Sequence, residues 1–157
     1  MNNTFQVRDG LIGLLLLLLQ FLIFQHLPIA GSRPDLLLIY LLWITKRYSK
    51  VQSLIIAFIS SFILDAMLDL WGLHMFSNTV LILAGFELIQ NFSGRKLMFW
   101  QVFLLLTVTG LIKYTIFLAL AGVANAYHVP SFTITMIVIG TLYTALIGSL
   151  LESLWNT

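Results

Sequence analysis

Five ionisable residues stand where an apolar chain has least use for them. Asp65 and Asp69 close the apolar stretch 53–69, Lys113 interrupts the apolar run 97–121, and Arg33, Pro34 and Asp35 precede the run 36–45. A lone charge at the centre of a bilayer costs roughly 2.5 to 3.5 kcal/mol on insertion scales, so such groups are expected to have partners. Depth follows from the rise of about 1.5 Å per residue. Asp65 comes about 22 Å above Lys50, and Lys113 about 25 Å above Lys96. In a hydrocarbon core of about 30 Å, both lie in the outer half. The run 36–45 makes only about 15 Å of helix, which leaves Arg33 and Asp35 at a similar level. Arg33, Asp35, Asp65, Asp69 and Lys113 are therefore expected to converge in one charge cluster. An arginine fork suits a carboxylate, so Arg33 is paired with Asp65, and Lys113 is the rival partner. Asp35 follows Pro34 and suits the N-terminus of the short helix. Buried carboxylates can relay protons or hold a fold together, and the residues leave both uses open.

The element that must position Asp65 carries a second signal. Ser53, Ala57, Ser61, Asp65 and Asp69 recur every four residues, so they share one helix face. Leu54, Ile55, Phe58, Phe62, Ile63 and Met67 take the others. The small and acidic stripe predicts contact with protein. Gly140, Thr144 and Gly148 form a similar stripe on the last helix, a helix-packing or partner face. Gln20, inside a leucine-rich run, is expected to bond to a neighbouring helix. Glu87, Glu152, His26 and His74 are read as interfacial, with Glu87 near Arg95 and Lys96.

Composition sets the class. The chain has 157 residues, 60% hydrophobic and 9% charged, with a mean hydropathy of +1.01. That balance predicts an all-α integral membrane protein, one transmembrane domain over residues 1–157, with little mass outside the bilayer. A net charge of +2 without a basic, aromatic-laced patch argues against nucleic acid. The absence of cysteine excludes disulfide and thiol chemistry. No nucleophile elbow, phosphate loop, metalloprotease motif or metal-ligand cluster occurs, so no enzyme activity, metal or cofactor is expected.

Six spans are read, at 11–24, 36–45, 53–69, 75–89, 97–121 and 132–155. Pro28, Gly31 and Pro34 break the chain before the second, which begins either with an irregular entry near Leu27 or as a short buried helix. Arg8, Lys46, Arg47, Lys50, Arg95 and Lys96 fall on one side and Arg33 on the other. The positive-inside rule then places both termini in the cytoplasm.

These residues resemble a known family. Ser32-Arg33-Pro34-Asp35 followed by Leu36-Leu37-Leu38 is similar to the arginine-proline-aspartate signature of the rod shape-determining protein MreD family. Ile63-Leu64-Asp65 with the outer corner Gly72-Leu73 resembles the family's second signature. The resemblance implies a non-enzymatic scaffold or regulator of bacterial cell-wall elongation in the inner membrane. It implies membrane lipid, MreC, a SEDS glycosyltransferase and a penicillin-binding transpeptidase as partners. It also implies a fold similar to the substrate-binding subunits of energy-coupling factor transporters. A small-molecule-binding transporter subunit is the alternative, with Arg33 and Asp65 lining an outward cavity.

Overall fold

The computed structural model describes residues 6–24, 26, 32–69, 72–95, 97–123 and 134–155. Among them are six α-helices: α1 Val7–Leu19, α2 Leu36–Arg47, α3 Lys50–Leu68, α4 Leu73–Gln90, α5 Phe99–Val123 and α6 Ile134–Trp155. A π-helical turn, Gln20–Phe24, prolongs α1. The expected short second helix is present: α2 has 12 residues and most of them are buried, while the irregular entry near Leu27 that is the other reading lies outside the described residues. It packs against α1, α3, α4 and α6. Leu37, Leu38, Leu41 and Ile44 are wholly buried in the core.

Local chemistry explains why helices begin where they do. The α3 helix starts three residues before the expected stretch because Ser49 caps it. The Gln52 side chain accepts from the Ser49 N–H at 3.2 Å and the Ser49 side chain accepts from the Gln52 backbone N–H, the reciprocal arrangement of a capping box. At the other end Asp69 adopts left-handed backbone, φ 55°, and returns its N–H to the Asp65 carbonyl. Aspartate tolerates that conformation better than most side chains. Gly72, at φ 81°, precedes α4 in a region that favours glycine.

Polar side chains are interspersed in the apolar core, and the outward faces are apolar. Ser53, Ala57, Ser61 and Asp65 are buried as one stripe of α3, and Asn78 of α4 donates to the Ser61 hydroxyl at 2.8 Å. Ser77, Thr141, Thr144 and Ser149 are also buried, whereas Ile55, Phe58, Phe62, Leu104, Leu146 and Leu150 point outward. In water this arrangement would leave large apolar faces exposed. In lipid it satisfies polar groups internally. Among the described residues, three helices, α3, α4 and α5, are long and apolar enough to cross a membrane.

Candidate functional site

The buried charge cluster is built on the N-terminus of α2. Asp35 precedes that helix, and its carboxylate accepts from the Leu38 N–H at 3.1 Å. The same carboxylate is ion-paired with Lys113 of α5. Its backbone N–H donates to the Thr144 hydroxyl at 2.9 Å, and that hydroxyl donates to the Gly140 carbonyl at 2.8 Å. Gln20 accepts from the Leu37 N–H at 2.9 Å, which is the neighbour-helix bond its sequence position predicts. The end of α1, the N-terminus of α2, and the middles of α5 and α6 thus meet at one level. The Lys113 side chain is 0% exposed and the Asp35 side chain 4%.

Asp65 does different work from that expected. Its two oxygens accept the backbone N–H groups of His74, at 3.1 Å, and Met75, at 2.8 Å. A carboxylate there meets the positive end of the α4 dipole and fills two of its unpaired donors. It closes the Gly72-Leu73 corner, with Leu73 buried. The Arg33–Asp65 pairing is therefore corrected. The Arg33 residue is exposed, and Lys113 pairs with Asp35 instead of Asp65. Asp69 is exposed as well. Of the five converging charges, Asp35, Asp65 and Lys113 form the buried cluster. Pro34 is buried beside it, and His74 stacks on Phe117 with ring centroids 4.8 Å apart.

The Gly140, Thr144 and Gly148 stripe faces inward. A Cβ on Gly140 would lie 3.6 Å from the Arg33 carbonyl, and one on Gly148 would collide with Leu106 of α5 and approach Ile39 of α2 to 3.1 Å. Glu87 and Arg95 are exposed and form no ion pair among the described residues. Lys96 lies outside them.

A second cluster, at the opposite end of the bundle, escapes the sequence reading, which begins the first span at residue 11. Asp9 is 0% exposed. It accepts from the Tyr48 hydroxyl at 2.5 Å, pairs with Arg47 at 3.5 Å and lies 3.9 Å from Arg8. Burial first, and then that hydrogen bond, hold the Tyr48 phenol above its ordinary pKa, so it remains the donor. Tyr40 donates to the Asp9 carbonyl at 3.2 Å, and its ring lies where a Cβ on Gly13 would stand. The signals were present: two tyrosines and an arginine lie on or just after α2, and a glycine follows Asp9 by four residues. Nearby, Lys46 joins α2 to Glu152 of α6 at 3.2 Å.

Fold and clusters together define a polytopic helical membrane protein whose buried charges are spent on one another and on helix ends. The family model of the rod shape-determining protein MreD matches residues 3–152 of this chain. The chain belongs to that family, and with it to the membrane proteins of rod-shape determination. No curated protein and no solved structure matched it.

Proposed function

We propose that this chain is a non-enzymatic scaffold or regulator of bacterial cell-wall elongation, working as a single transmembrane domain in the inner membrane with both termini in the cytoplasm. The family match over residues 3–152 carries the reading. The arrangement of charge supports it. Asp35 and Lys113 are sealed against each other, and Asp65 is engaged by the α4 backbone. An outward ligand site lined by Arg33 and Asp65, as the transporter alternative requires, would need those groups free and adjacent. The six-helix bundle around a short buried α2 accords with the likeness to energy-coupling transporter subunits that the motifs imply.

Recognition then falls to lipid-facing surfaces. The inward Gly140/Thr144/Gly148 stripe is occupied within the fold. Outward candidates are the apolar faces of α3 and α5, among them Phe58, Phe62, Leu104 and Val108. MreC, the SEDS glycosyltransferase and its transpeptidase are the proposed partners. Depleting the chain from a rod-shaped bacterium should round the cells, and affinity recovery from native membranes should bring MreC and the synthase pair with it. Rods that persist on depletion would refute the shape role. Recovery of the chain with none of these three would refute the partner assignment.

A further inference from the structure

A lateral groove of about 440 Å³ lies between α1 and α3, with walls including Gly13, Leu17, Ile56, Ile59 and Ser60, and Tyr40 of α2 behind them. Gly10 and Gln52 line it at one end and Leu17 and Ile63 at the other. From Gln52 to Ile63 is eleven residue steps, about 16 Å of helix at 1.5 Å each. That is close to half of a hydrocarbon core of about 30 Å, the depth of one leaflet. A spanning partner helix would need a groove of twice that length. Gly13 admits the Tyr40 ring as the back wall, and Gly10 and Ser60 leave room for a slender apolar body beside helices that otherwise bear large side chains.

The mouth carries charge. Next to Gly10 stands the Asp9 cluster, tied to the groove through Tyr40, which both lines it and donates to the Asp9 carbonyl. Arg8 and Arg47 flank the single Asp9 carboxylate, so the mouth holds one positive charge in excess. The side chains of Arg8 and Arg47 are 67% and 36% exposed, while that of Asp9 is sealed. Both guanidinium groups therefore reach the surface of the bundle with donors to spare, and the carboxylate does not.

We infer that the α1–α3 groove seats one acyl chain of an anionic phospholipid whose headgroup phosphate rests on Arg8 and Arg47. The apolar groove fixes the depth of the chain and the guanidinium pair selects the headgroup, as basic residues at a membrane surface do. A lipid held there would fill the space between two helices that meet each other only sparsely, and would make the α1–α3 surface one continuous face toward any neighbour.

The test uses the purified full chain in detergent, offered equimolar phosphatidylglycerol and phosphatidylcholine with identical acyl chains, with retained lipid read by native mass spectrometry. One phosphatidylglycerol should be retained, preferred over phosphatidylcholine by roughly fivefold for each arginine engaged. Arg8→Gln should lower that preference by about that factor. Its side chain is the more exposed, so the fold is kept even if Arg47→Gln fails to fold. Ile59→Trp, an outward substitution that fills the groove, should reduce retention of both lipids, and Arg95→Gln should change nothing. The inference is overturned if the wild-type chain shows no headgroup preference. It is equally overturned if Ile59→Trp leaves retention unchanged, if Arg95→Gln acts as Arg8→Gln does, or if the chain is a tight dimer that retains no lipid. The readout needs no elongation partner, so it stands or falls separately from the shape role.

Discussion

The two ends of the bundle handle charge in opposite ways. At the cluster around the start of α2, Lys113 and Asp35 are matched one to one and sealed from solvent, and Asp65 is consumed by backbone donors. At the opposite end one buried carboxylate, Asp9, is overmatched by two arginines that remain partly exposed. The first arrangement has no water to relieve an error, so it behaves as a staple between α2, α5 and α6. The second keeps donors at the surface and can exchange partners. Burial of the positive partner, more than the number of charges, separates a structural site from an adaptable one.

This contrast fixes the order of mutational effects. Lys113→Leu or Asp35→Leu leaves an uncompensated buried charge, and each should cost about 3 to 5 kcal/mol in thermal unfolding of the purified chain. A loss below about 1 kcal/mol would mean that water reaches the pair. Asp65→Ala should cost about 2 to 3 kcal/mol, because two charge-assisted bonds to the start of α4 disappear, and Asp65→Asn, which keeps an acceptor, should cost less. Arg33→Leu should stay within about 0.5 kcal/mol. An Arg33→Leu effect as large as that of Asp65→Ala would restore the pairing that the structure replaces.

Smaller effects separate the two glycines of α6. Gly148→Ala drives a methyl into Leu106 and should cost about 1 to 3 kcal/mol. Gly140→Ala meets ordinary van der Waals distances and should be close to neutral. Equal losses at both would show that α6 sits differently against α2 and α5. The Lys46–Glu152 pair, at the partly exposed end, should contribute only about 0 to 1 kcal/mol in a double-mutant cycle. Strong coupling there would erase the distinction between the ends.

Periodicity and depth made much of this legible. The small stripe of α3, the short α2, the inward need of Gln20 and the level shared by Asp35, Asp65 and Lys113 all follow from spacing, rise and the cost of charge in lipid. The choice of partners does not follow. Depth alone allows Arg33 or Lys113 to serve either carboxylate, and helix rotation decides among them. Asp35 was assigned a capping role, and the structure gives it the cap and the lysine together, since its two oxygens point to different groups. Asp9 was hidden for another reason. A charged residue near a chain end reads as solvated unless the tyrosines that enclose it, 31 and 39 positions away, are known to fold back over it.

The central claim is that the charges of Asp35, Asp65 and Lys113 hold the fold, while shape support is exercised through outward faces. Its most direct test is a rod-shaped bacterium whose only copy of the chain carries Asp35→Asn together with Lys113→Met. That double substitution removes both charges, keeps an acceptor at the start of α2 and preserves volume. Cell length-to-width ratio is the measurement, at matched levels of the protein in the membrane. The account predicts rods indistinguishable from wild type. Round cells with normal amounts of folded double variant would contradict it, because the charges would then be needed for the work of the protein and not only for its architecture.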